Sequence, residues 1–196
     1  MNILFICSRN QWRSRTAETI FKNDAHLFFL RGYCYANILC YEDAISNYKK
    51  ALSLNPRDIP ALMNLIELFY FQKEYEKVIV WYDKTLRVLD NKSSPLLNFK
   101  YYVSLIKLAE KSKELPGHKA KAFMDYTMMD DNPFYYYALA IKHHDAGNKE
   151  EFFAQIQSAA YIFNDLYLIK NWNKALQDAS YLEASEIILR DLEKEE

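Results

Sequence analysis

Glycine and proline are scarce in this chain, 3 and 5 among 196 residues, which leaves too few turn-formers for the many tight corners of a β-sandwich or barrel. Cysteine is equally thin. Cys7, Cys34 and Cys40 are odd in number and match neither a secreted disulfide framework nor a zinc-site spacing; a reducing, cytoplasmic setting is expected. Charge of one sign is also missing. Lys and Arg total 25 against 26 Asp and Glu, so no global basic field points to nucleic acid or an anionic membrane. Long apolar runs are absent: Ile3 to Cys7 is far too short to span a bilayer, and Arg9, Arg13 and Arg15 follow where a signal peptide would need more apolar length. No cofactor and no metal are expected either, because the adjacent His143 and His144 would diverge by about 100° on a helix and could not readily share an ion.

What the chain does contain is apolar and aromatic bulk, 51% and 16% of its residues, enough for helices joined by short polar turns to bury a core. An internal repeat organises it. From Ala25 to Asp58 two apolar stripes at helical spacing are separated by a turn around Leu39 to Tyr41. Counting Ala25 as position 1, Phe28 falls at 4, Gly32 at 8, Tyr35 at 11, Ala44 at 20, Tyr48 at 24, Ala51 at 27 and Pro56 at 32. This pattern resembles the tetratricopeptide repeat, with Arg31 standing where the family usually has Leu. The physical logic agrees with the spelling. Small Gly32 and Ala44 let two helices approach, the aromatics fill the space between them, and Pro56 stops the second helix.

Residues 59–92 repeat the design more loosely, through Leu62, Leu65, Phe69, Tyr75 and Tyr82. Residues 93–131 form a longer unit, predicted as a helix from about Pro95 to Lys111, a break at Pro116-Gly117 and a helix on to Met129. Residues 132–165 spell the pattern better again from Pro133, with Tyr136, Leu139, Ala140, His143, Gly147, Phe152, Ile156 and Ala159 at equivalent spacings. Residues 166–196 are expected to be capping helices, their charged end Arg190 to Glu196 suiting the last face of a stack. The expected fold is all-α: antiparallel hairpins stacked over 25–165 as a short right-handed superhelix, after an atypical segment 1–24.

The resemblance implies a concave groove lined by the first helix of each repeat at positions 2, 5, 9, 12 and 13. Those positions hold His26, Phe29, Tyr33, Ala36 and Asn37 in the first unit, and Pro60, Met63, Glu67, Tyr70 and Phe71 in the second. In the Pro133 unit they hold Phe134, Tyr137, Ile141, His144 and Asp145. Phe29 and Tyr33 occupy places where some family members clamp a terminal carboxylate with Lys and Asn, so a peptide or protein segment with apolar anchors is the expected ligand. The same aromatics, at helical spacing, also read as core.

The first 22 residues follow another pattern. A short β-like run leads to Cys7, five residues intervene, and Arg13-Ser14 open a helical stretch. With Asn10, Ala17 and Glu18 this resembles the opening phosphate loop of low-molecular-weight protein tyrosine phosphatases, Arg15 replacing a frequent Pro. The resemblance implies Cys7 as nucleophile, Arg13 as phosphate clamp, Asn10 as loop brace and Ser14 as a donor easing thiolate release. It also implies a phosphate or sulfate ion near Cys7 and Arg13. That family's acid is an Asp in an Asp-Pro pair, whereas the corresponding string here is Asn132-Pro133-Phe134, and Asn cannot donate that proton. The helical remainder offers no sheet for Ile3 to Cys7, and an unpaired strand would seek a partner, which makes a strand-exchanged homodimer one expectation. Two functions stay open: an interaction scaffold without catalysis of its own, and a phosphatase-like enzyme or phosphate-binding remnant.

Overall fold

The computed structural model describes residues 24–90, 92–111, 120 and 132–183. Expectations for Cys7, Asn10, Arg13 and Ser14, for the Pro116-Gly117 break and for the tail from Arg190 lie outside the described residues. Among those described there are eight α-helices and no strand. They divide into two compact units, one of the residues up to Gln72 with Val80–Lys92, the other of Lys73–Ile79 and the residues from Ser93 on.

In the first unit, α1 (Ala25–Asn37) and α2 (Tyr41–Leu54) pack as a hairpin, and α3 (Ile59–Phe71) packs on both. Helix α1 starts where Asp24 Oδ1 accepts the N–H groups of His26 (2.9 Å) and Leu27 (3.3 Å), satisfying donors that a helix leaves orphaned. Helix α2 ends at Leu54, just ahead of Asn55-Pro56, because proline cannot continue the i→i−4 ladder. Asp58 caps α3 through Ala61 N–H at 3.0 Å, with Pro60 in its first turn, where the missing N–H costs nothing. The hairpin closes tightly at one point. A Cβ on Gly32 would lie 2.8 Å from two ring carbons of Tyr48 and 3.2 Å from the Ala44 carbonyl. Gly32, Ala44 and Tyr48 are all buried, so the smallest residue of one helix receives the largest of the other. Helix α4 (Tyr75–Val88) follows, and the division between the units falls within it.

The second unit contains α5 (Pro95–Lys111), α6 (Phe134–Asp145), α7 (Lys149–Phe163) and α8 (Leu166–Asp178). Helix α5 has the bounds its periodicity predicts. At the start of α6 Pro133 takes the cap position and Asn132 Oδ1 accepts the Phe134 N–H at 3.0 Å. The rings of Phe134, Tyr137 and Trp172 pack within 6.0 Å of Phe99, offset or edge-on as ring quadrupoles favour. Inside this cluster the Tyr137 hydroxyl donates to Asn173 Oδ1 at 2.6 Å, and burial pushes its pKa well up. After α8, Tyr181 lies under Lys107 Nζ at 3.8 Å and meets the edge of His144 at 5.0 Å.

Helices α1, α6 and α8 end alike. Leu39 (φ 62°), Gly147 (φ 78°) and Ser180 (φ 62°) are left-handed. The next N–H reaches five residues back to a helix carbonyl, from Cys40 to Tyr35, Asn148 to His143 and Tyr181 to Leu176, each at 2.9 Å. These are Schellman closures that satisfy C-terminal carbonyls.

Candidate functional site

Helix α1 presents His26, Phe29 and Tyr33 as a row, because spacings of three and four residues fall on one face. Ring centroids step 6.1 Å from His26 to Phe29 and 6.5 Å from Phe29 to Tyr33, and the planes are stacked. Phe29 is half-buried and leans on Tyr48 at 5.9 Å, so the row has one foot in the hairpin core. Tyr33 is 49% exposed and His26 and Asn37 are also exposed. Helix α3 adds Met63 and Glu67, both half-buried, and Phe71, 42% exposed. Phe71 is steadied by Tyr41, 5.2 Å away at the start of α2. Sequence reasoning missed Tyr41, since the first residue of a second helix is not a groove position; its sole signal was an aromatic at the end of the interhelical turn.

Two expected groove residues belong to the core. Tyr70 is 0% exposed in the first unit, and Tyr137 is 0% exposed in the second, with its hydroxyl committed to Asn173. Phe134 and Ile141 are buried as well. The reason is geometric: each faces neighbouring helices rather than solvent, and fully buried aromatics stabilise packing rather than meet a ligand. His144 is exposed in the second unit, where its ring touches Phe152 (5.6 Å) and Tyr181, and its Nδ1 lies 3.2 Å from Asp145 Oδ1.

The face that remains, in the first unit, is aromatic and lightly charged. Its neighbouring stripe is different: Lys50 Nζ lies 5.6 Å from the Phe28 ring and Lys49 Nζ 5.6 Å from Phe69, so cations shield those rings. Beneath the row, burial foremost and then Tyr33 and Cys34 push the Tyr48 hydroxyl up to about 12, and it has no hydrogen-bond partner among the described residues. Nothing in this face resembles a nucleophile with an adjacent base. It offers ring surface.

Residues 25–58 match the tetratricopeptide repeat family, so a tetratricopeptide repeat occupies α1 and α2. A TPR repeat-containing protein of Methanocaldococcus jannaschii is 27% identical over 70 residues, 36% of this chain. The aligned stretch spans 12% of that protein's length. The solved structure of MamA MSR-1 C2 is similar with a TM-score of 0.49 at 14% identity, covering 89% of this chain and 85% of that one. Among the described residues no helix is long and apolar enough to cross a membrane.

Proposed function

We propose that this chain is an interaction scaffold that captures a peptide or protein segment on the aromatic face of α1 and α3, acting by binding rather than by catalysis. One observation carries the reading: a tetratricopeptide hairpin stacks His26, half-buried Phe29 and Tyr33 in a row whose two ends are open to solvent, and α3, packed on that hairpin, exposes Phe71. Contiguous exposed aromatics mark binding surfaces, and their rigid rings give large contact area at low entropic cost. Phe29 and Phe71 supply the anchored part, each backed by a ring of α2, while Tyr33 and His26 supply adaptable polar edges. Asn37 and Glu67 at the margins suit hydrogen bonds to an extended backbone.

The test uses peptides selected from a displayed library on the wild-type chain. Phe29→Ala, Tyr33→Ala and Phe71→Ala combined should weaken the selected peptides at least about 10-fold, the loss of roughly 1.4 kcal/mol, with far-ultraviolet circular dichroism unchanged. Retained affinity would sink the proposal. A cytoplasmic site of action is part of the same reading and rests on cysteine usage. An anion at Cys7 and Arg13, and pairing of two copies, are carried as separate proposals: sulfate titration should shift the melting temperature of wild type but not of Arg13→Ala, and light scattering should give twice the 23.3 kDa chain mass.

A further inference from the structure

We infer that the elbow between α7 and α8 pairs with the same elbow of a second copy across a two-fold axis, Asp165 of each copy facing the partner's Lys170. The inference rests on the pairing of two copies already proposed and gives it a surface. That surface lies wholly in the second unit, apart from the peptide-binding face.

The elbow is firmly built. Helix α7 ends at Phe163, Asn164 turns the chain at φ 40°, and Asp165 Oδ1 caps α8 by accepting the Leu168 N–H at 2.9 Å. Ile156 and Ala159 of α7 and Ile169 and Trp172 of α8 are buried and mark the inward faces. Tyr161 and Tyr167 stand two residues from Ala159 and Ile169, about 200° round each helix, and so fall on the outward faces. They are 87% and 78% exposed, more than any other large hydrophobic side chain among the described residues, and Ile162 and Leu166 beside them are 51% and 46% exposed. Charge is withheld from the same stretch. Between Glu151 and Lys170 the single charged side chain is Asp165, in a chain that is 26% charged. Exposed apolar residues scattered singly are ordinary. Four of them between residues 161 and 167, tyrosine-rich and depleted of charge, have the make-up of an interface core.

Charge and area select a second copy as the occupant. Lys170 is exposed and lies four and three residues after Leu166 and Tyr167, hence on their face of α8, while Asp165 stands at the other end of the elbow. A patch with one acid and one base at its two ends is complementary to itself, because a two-fold axis sets each acid against the partner's base. The net charge of -1 leaves two copies with little mutual repulsion. A tyrosine can bury roughly 150–250 Å², so pairing the four side chains of each copy removes about 1,000 Å² in total, the lower bound of a specific interface. The dimer is therefore a weak one that depends on concentration. A bilayer surface would ask for a cluster of cations, whereas the elbow offers Lys170, with Lys174 beside it held by Asp178 at 2.8 Å.

Sedimentation velocity of the full chain over a concentration series provides the test. The wild-type mass should rise from 23.3 kDa toward twice that value. Tyr161→Gln with Tyr167→Gln, which keeps good helix formers at exposed positions, should raise the dimer dissociation constant at least about 10-fold with far-ultraviolet circular dichroism unchanged. Lys170→Glu should raise it about 3-fold or more by setting acid against acid, and adding Asp165→Asn, which retains the cap, should recover part of that loss. A wild-type chain that stays monomeric at every concentration would overturn the pairing and its surface together. A dimer indifferent to the two tyrosine substitutions would leave pairing to another surface, such as the run Ile3 to Cys7, and overturn this inference alone. Loss in Lys170→Glu without recovery, or assembly beyond the dimer, would overturn the two-fold arrangement.

Discussion

Gly32 and Tyr48 define the tightest point of the first hairpin. Adding a methyl group in Gly32→Ala would drive it to 2.8 Å from the Tyr48 ring, whose buried position gives it nowhere to move. The helix-propensity gain of about 1 kcal/mol is outweighed by an overpacking cost of about 1–3 kcal/mol, so a net loss of about 1 kcal/mol is expected in urea unfolding. Tyr48→Phe should do the reverse. It removes a buried hydroxyl without a described partner and is expected to gain about 1 kcal/mol. The tyrosines also predict a pH response. Burial holds Tyr48, Tyr75 and Tyr102 up at about 12 instead of 10. The unfolded chain releases these protons near 10 while the folded chain keeps them, so this stability is fully present below pH 10 and is lost as pH rises toward 12. The melting temperature should fall steeply across that window, and a flat profile would refute the assignment. At this scale the small and large partners were legible, because Gly32, Ala44 and Tyr48 must be spelled out for helices to touch. Tyr70 and Tyr137 were not, since whether an aromatic is groove or core depends on which other helix covers it.

Three helix starts carry a plain signal. Asp24, Asp58 and Asp165 each cap a helix with a side-chain oxygen, and Pro56 ends one. The ends were harder to read. Left-handed closure is normally spelled with Gly or Asn, yet Leu39 and Ser180 adopt it through hydrogen bonding and packing of the adjoining helices. That conformation costs an L-residue roughly 1–2 kcal/mol. Leu39 is 70% exposed and has little packing to lose, so Leu39→Gly should stabilise the first hairpin by about 0.5–1 kcal/mol after the glycine's extra unfolded-state entropy is deducted. A shift of the urea midpoint to higher concentration at unchanged slope would verify it. Gly147, already glycine at the equivalent place between α6 and α7, has no such reserve.

For the molecule as a whole, the all-helical class and the repeat at 25–58 followed from periodicity and spacing, because both are local properties of the chain. The division into two compact units within α4 was not foreseen, since nothing in the composition of Tyr75–Val88 interrupts its helical pattern. The binding reading makes one further demand on the full chain. Hydrolysis of para-nitrophenyl phosphate should be equally negligible for wild type and Cys7→Ser; turnover that depends on Cys7 would replace scaffold with phosphatase.

The first hairpin also has a temporal consequence. The ring contact inside it, Phe29 with Tyr48, and the one that joins it to α3, Tyr41 with Phe71, each span less than one repeat length, so little loop-closure entropy stands before them. Such topology belongs to the fast end of the kinetic range, microseconds to milliseconds. A nascent chain could therefore begin to assemble its aromatic face once residues through Phe71 have left the ribosome, before the second unit has been synthesised.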